Sequence, residues 1–189
     1  MSTLKKRSAA ITVAVIVILF GTLFGVHRTI AGETKKIEAM FYNGVYIKEQ
    51  NYTQPGIGEQ LNKRETAALG LITIANNYDG LTNVTESLRQ QRIGLIDAET
   101  ISGKYFFNEK LQVAYETLYD ALISQSLSDR EKAAAQEYAA TLDGAQGVIQ
   151  NSAYNNAVSS FARELGAFPV NILKNLVFAT GPEYFGAEG

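Results

Sequence analysis

The segment from Ala9 to Val26, AAITVAVIVILFGTLFGV, is an unbroken apolar run without one charged side chain. As a helix rising 1.5 Å per residue it measures ~27 Å, against the ~30 Å hydrocarbon core of a bilayer. It is longer than the apolar region of most secretory signals, and no polar face interrupts it as one would in a core helix of a soluble domain. Basic clusters flank it, with Lys5, Lys6 and Arg7 on one side and Arg28, Lys35 and Lys36 on the other. The expectation is a retained transmembrane helix over 9–26 behind a basic tail over 1–8. A cleaved signal with Thr29-Ile30-Ala31 as cleavage triplet is the competing reading, disfavoured because His27 and Arg28 stand between the run and that triplet. The tighter cluster before the run favours an N-terminus in the cytoplasm and a body outside it. His27 falls at the expected boundary, where an interfacial anchor is a better role for it than a ligand.

Composition narrows what the rest can do. The chain has no Cys and one His, which removes disulfides, thiolate zinc sites, Cys nucleophiles and His-rich metal centres, and leaves little room for a Ser-His-Asp arrangement. Three of the 17 basic residues precede the run while all 19 acidic residues follow it, so the body is mildly acidic and nucleic acid is not its expected partner. No Gly-x-Gly-x-x-Gly follows a strand and no phosphate-loop pattern is present. The carboxylates Asp97, Glu99, Glu109, Glu116, Asp120, Asp129, Glu131, Glu137 and Asp143 read as a solvated face rather than an acid/base pair. No cofactor is expected.

Periodicity makes the body helical. Ile37, Met40, Phe41, Gly44, Val45 and Lys48 carry a helix on from the anchor towards Asn51, until Pro55-Gly56 forces a turn. A second helix is expected from about Gly58 to Ile96, on Leu61, Ala68, Leu71, Ile74, Tyr78, Leu81, Val84, Leu88 and Leu95, with Asn76, Asn77 and Gly80 weakening its middle. Ile101-Ser-Gly-Lys104 reads as a connection, and Phe107, Leu111, Ala114, Leu118 and Leu122 form the cleanest stripe in the chain. Ser128-Asp-Arg-Glu131 has the spacing of a capping box and should start a helix carrying Leu142, Ala145, Ile149, Ala153, Ala157, Phe161 and Leu165. Pro169 should stop it or restart a short piece through Val177, and the small residues of 133–167 suit close helix approach. No stretch alternates long enough for a convincing strand. The fold class is all-α, an N-terminal transmembrane helix followed by a long-helix antiparallel bundle over 27–179 and a C-terminal tail over 180–189.

Tyr154-Asn-Asn-Ala-Val158, followed by Phe168-Pro169, Asn171-Ile172-Leu173 and Tyr184-Phe185, resembles the C-terminal end of the LemA family of membrane-anchored helical proteins over residues 154–185. Gln60-Leu-Asn-Lys-Arg64, with Leu71, Ile72 and Tyr78, and upstream Tyr42-Asn43 and Val45, extend the resemblance along nearly the whole chain. Thr66, Leu69-Gly70 and Gln54 depart from the family's usual acidic residue, Pro-Asn and Trp. The resemblance implies an anchor followed by a long-helix bundle, in a family without an established enzymatic activity and with some members linked to the cell envelope or to organelle membranes.

Candidate interface or packing residues are Tyr154, Asn155, Phe168, Pro169, Tyr184 and Phe185. Tyr154, Asn155 and Phe168-Pro169 are read either as a partner surface or as a lock pinning the last turn, the second being the commoner use of aromatics. Tyr184-Phe185 suits a neighbouring subunit or a membrane interface, or else a frayed tail. The expected function is a non-enzymatic scaffold, a homo-oligomer on the lipid bilayer that organises the envelope or shapes the membrane. The alternative is a tethered adaptor for a particular envelope or signalling protein; a hydrolase working through helix-borne carboxylates ranks below both.

Overall fold

A computed structural model describes residues 2–187 of the chain, with side chains from Ala9 onward. It is all-α but for one short hairpin. In chain order it contains α1 (Ser2–Asn43), β1 (Val45–Ile47), β2 (Tyr52–Gln54), α2 (Ile57–Ala75), α3 (Thr82–Asp97), α4 (Ile101–Ile123), α5 (Asp129–Gln150), α6 (Tyr154–Gly166) and α7 (Val170–Leu176). These form two compact units, Met1–Glu38 with Asn156–Pro182 and Ala39–Asn155 with Glu183–Gly189, so the single bundle expected over 27–179 is divided. Met1, Glu188 and Gly189 lie outside the described residues.

In the first unit α1 starts at Ser2: once the apolar run is helical, propagation into Leu4, Lys5, Lys6 and Arg7 is cheaper than nucleation. The apolar window of α1 is long enough to cross a membrane and none of it is buried, unlike a soluble core helix. Beyond it Ile30, Leu165 and Ala179 form a small core, with Val26, Phe161, Val170 and Val177 packed around it. His27 Nδ1 donates to the Val177 carbonyl (3.2 Å) and Thr34 Oγ1 to that of Thr180 (3.1 Å).

The second unit holds the antiparallel bundle α2–α5. Helix α2 packs on α5 and α3, α3 packs on α4, and α4 meets α5 only sparsely. Leu61, Ala68 and Leu71 of α2, Leu88 and Leu95 of α3, Leu111, Leu118 and Leu122 of α4, and Leu142, Ala145 and Ile149 of α5 are buried on the expected stripes. Val84 and Phe107 are half-buried. Ala135 and Ala139 supply the close approach in α5, whereas Gly144 and Gly147 face open space.

Four expectations are corrected, each by a local stop signal. The helix expected to reach Asn51 ends at Asn43, because Gly44 turns the chain at φ +86° and Val45-Tyr46-Ile47 pairs with Tyr52-Thr53-Gln54 as an antiparallel hairpin. The helix expected over 58–96 is two. Asn76 and Asn77 close α2 through their N–H bonds to Ile72 and Ile74, and Gly80 at φ +89° reverses the chain. Residues 101–104 are the first turn of α4, since Thr100 caps it by accepting from Gly103 N–H (3.0 Å). The last long helix breaks at Asn151, whose Nδ2 returns to the Gly147 carbonyl (2.8 Å). Gln54 spans that break, donating to the Asn151 carbonyl and accepting from Ala153 N–H, both at 2.8 Å. The Ser128/Glu131 capping box forms as expected.

Candidate functional site

Two constellations stand out in the second unit. The first gathers most of the candidate residues read from the sequence. Tyr154 and Asn155 open α6, whose first two residues belong to this unit. Tyr154 is fully buried; its ring meets Phe41 edge-on at 5.5 Å and its hydroxyl donates to the Glu183 carbonyl (2.7 Å). Asn155 pairs with both backbone groups of Phe185. The Phe185 ring lies 5.6 Å from Phe41 and 5.4 Å from Tyr105. Glu183 then uses its carboxylate on the free N–H groups of α4, accepting from Ile101 (2.6 Å) and Ser102 (3.2 Å), where the helix dipole favours negative charge.

The expected tail over 180–189 is therefore corrected at 183–185, which are built into the second unit. Phe185 is core, with neither frayed nor interfacial character, while Tyr184 keeps half of its surface exposed. Phe168 and Pro169 take no part in this lock: they belong to the other unit, joined by a cis peptide bond, and the Phe168 ring is 81% exposed.

The second constellation was missed in the sequence. Arg64 is completely buried in the bundle. Its Nη1 donates to Gln146 Oε1 (2.6 Å) and the Leu142 carbonyl (3.3 Å), and its Nη2 to Gln112 Oε1 (2.7 Å). Asn108 Nδ2 also donates to Gln146 Oε1 (3.0 Å), Gln112 to Glu116 (2.6 Å), and the Tyr115 hydroxyl to Asp143. The network thus ties α2, α4 and α5 together where α4 and α5 have little direct contact. Among the described residues no carboxylate forms an ion pair with the guanidinium. Burial pulls its pKa down to about 10, against the pull of Tyr115, Glu109, Asp143 and Glu116, so it is a cation at neutral pH. Burial and the Asp143 bond both push the Tyr115 phenol well above its usual range. Arg64 Nε, Asn108 Oδ1 and Gln60 Nε2 are buried without a hydrogen-bond partner. The signal was available: Arg64 lies on the Leu61, Ala68, Leu71 stripe, at steps of three and four.

Of the carboxylates considered for acid/base work, all are exposed except the half-buried Glu131 of the capping box. Among the described residues no group of three or more metal-ligating side chains comes together. Two open grooves run along helix pairs, one of about 510 Å³ between α3 and α4 over Val84, Ser87, Gln91, Lys110 and Val113, and one of about 420 Å³ between α2 and α5 over Lys63, Thr66 and Tyr138, and a third cavity of about 430 Å³ lies at the start of α4 over Thr100, Ser102 and Tyr105. Both constellations are bonded inward and hold helices in register. Comparison of the chain with protein-family models, with curated proteins and with solved structures finds no match.

Proposed function

We propose that the protein is a non-enzymatic, membrane-anchored helical scaffold whose copies associate side by side through their anchors. One observation carries the reading. Gly21 and Gly25, one turn apart in the membrane-length part of α1, have nothing within 4 Å of where a side chain would stand. In lipid, small residues at this spacing let two helix backbones approach closely enough for dense packing, which is the main attraction between membrane helices. Anchors paired in one orientation would array the bundles on one face of the membrane, with the N-terminus in the cytoplasm and the body outside. The motif order shared with LemA-like proteins agrees with this reading, and we propose a divergent relationship to that family. An envelope-organising or membrane-shaping role follows from the array.

Mass measurement of the detergent-extracted full chain tests the scaffold, with Gly21→Leu and Gly25→Leu as comparisons. An oligomer that shifts towards monomer in both variants is expected; a strictly monomeric wild-type particle overturns the proposal. Crosslinking in native membranes separates the adaptor alternative, which gives a heterologous partner and few self-crosslinks. Protease access to residues beyond 30 from the cytoplasmic side would overturn the orientation.

A further inference from the structure

The two faces of α7 differ in a way the scaffold reading does not use. Val170 and Val177 pack against Ile30, Leu165 and Ala179, beside Val26. The other side is bare: Phe168, Ile172 and Leu176, at steps of four, are 81%, 52% and 59% exposed, flanked by the exposed Asn171 and Asn175. Phe178 extends it at 91% exposure, with its backbone in the left-handed region at φ +52°, a conformation that a bulky side chain rarely adopts. The left-handed backbone holds the ring outward, and so large an exposed apolar area is stabilised where something apolar receives it.

The register of α1 says what that is. Val26 ends the apolar run, and the bond from His27 to the Val177 carbonyl fixes the end of α7 beside that boundary. The C-terminal end of α7, with Leu176 and Phe178 on either side of Val177, thus lies where the anchor leaves the hydrocarbon. Amphipathic helices at this depth sink their apolar face ~5–10 Å into the boundary between headgroups and acyl chains. Across residues 27–38 and 156–182 Lys and Arg outnumber Asp and Glu five to three, the reverse of the acidic body, which suits anionic headgroups.

We infer that the segment from Phe168 to Phe178 is a second membrane contact, an interfacial element that inserts Phe168, Ile172, Leu176 and Phe178 into the leaflet beside the anchor. The inference rests on the reading of α1 as a membrane-spanning helix. It would add a second point of attachment beside α1 and so fix the tilt of the first unit on the bilayer.

The chain has no Trp, so single variants report their own surroundings. Full-length Phe168→Trp, Phe178→Trp and, within the anchor, Phe20→Trp are reconstituted in phosphatidylcholine–phosphatidylglycerol vesicles and quenched with lipids brominated in the upper acyl chain or with aqueous acrylamide. The expected result is blue-shifted emission at positions 168 and 178, with brominated lipid removing intensity at both and acrylamide having little effect. Quenching by lipid at position 20 alone, with acrylamide reaching 168 and 178, overturns the inference and leaves the anchor standing. Protection of 168 and 178 from both quenchers also overturns it, assigning the face to protein. No lipid quenching at position 20 removes the anchor reading and this inference with it.

Discussion

The side-chain amide of Asn155 holds the main chain of Phe185 in both directions, its Nδ2 donating to the Phe185 carbonyl at 2.8 Å and its Oδ1 accepting the Phe185 N–H at 3.0 Å. One side chain thus replaces a partner strand for a single residue, and so presents the Phe185 ring to Phe41 and Tyr105. Asn155→Ala leaves both backbone groups to find other partners, a loss of about 1–3 kcal/mol. Phe185→Ala also empties the space between the two rings, for about 3–5 kcal/mol. Thermal unfolding of the full chain in detergent should rank Phe185→Ala below Asn155→Ala, and limited proteolysis should cut beyond residue 182 sooner in both. Equal protease resistance in Phe185→Ala and wild type would remove the lock.

Arg64 sets burial of a charge against the register that it provides. Arg64→Ala removes the shared donor of Gln146 and Gln112 and leaves a cavity, so a loss of about 3–5 kcal/mol is expected. Arg64→Met fills most of that volume without a charge to desolvate but still takes the donor from Gln112, Gln146 and the Leu142 carbonyl, so a smaller loss of about 1–3 kcal/mol is expected. Thermal unfolding at neutral pH, where the guanidinium with its pKa of about 10 is charged, separates the two. If Arg64→Met falls as far as Arg64→Ala, the donated hydrogen bonds outweigh the desolvation.

These two features differ in how far the sequence exposes them. The helical class and the capping box at Ser128 were legible because spacing alone carries them, as the buried stripe Leu111, Ala114, Leu118 and Leu122 shows. The chain reversals at Gly44 and Gly80 were not, because glycine within a helical pattern reads as a weak helix residue until its φ is known. Tyr154 and Asn155 were singled out, but their partners Glu183 and Phe185 lie about thirty residues on, and no local pattern pairs them. Arg64 sat on an apolar stripe in plain view. A charged residue on such a stripe ordinarily snorkels to the surface, so the spacing alone does not mark it as buried.

Glycines in helices ordinarily weaken them relative to Ala, yet two in this chain should respond with opposite sign. A Cβ at Gly94 of α3 would run into the Phe107 ring, which is braced by edge contact with Phe106 at 5.2 Å. Gly94→Ala should therefore separate α3 from α4 and destabilise by about 1–3 kcal/mol. Gly144 of α5 meets nothing within 4 Å, so Gly144→Ala should gain about 0.5–1 kcal/mol from chain entropy alone. Melting both variants in the same detergent checks the contrast; stabilisation by Gly94→Ala would mean that the α3–α4 contact is looser than described.

Acid should loosen the start of α5 through Glu131. Its Oε2 accepts from the Ser128 hydroxyl (2.6 Å), the Tyr78 hydroxyl (2.8 Å) and the Ser128 N–H (3.0 Å). These bonds, that from the Ser128 hydroxyl foremost, hold the carboxyl below its ordinary value of 4.5, while the same contact raises the Tyr78 phenol. A depressed carboxylate pKa contributes stability above the unfolded value and loses it as pH falls through the folded one. The wild type should accordingly melt above Glu131→Gln at neutral pH, with the gap closing below about pH 4.5 as the carboxyl takes up its proton. Ser128→Ala, which removes the cap, should lower stability by about 0.5–2 kcal/mol and flatten the same pH dependence. Thermal melts of the three proteins between pH 3 and 7 read both effects; a gap between wild type and Glu131→Gln that stays constant down to pH 3 would show that Glu131 acts there through shape alone and not through charge.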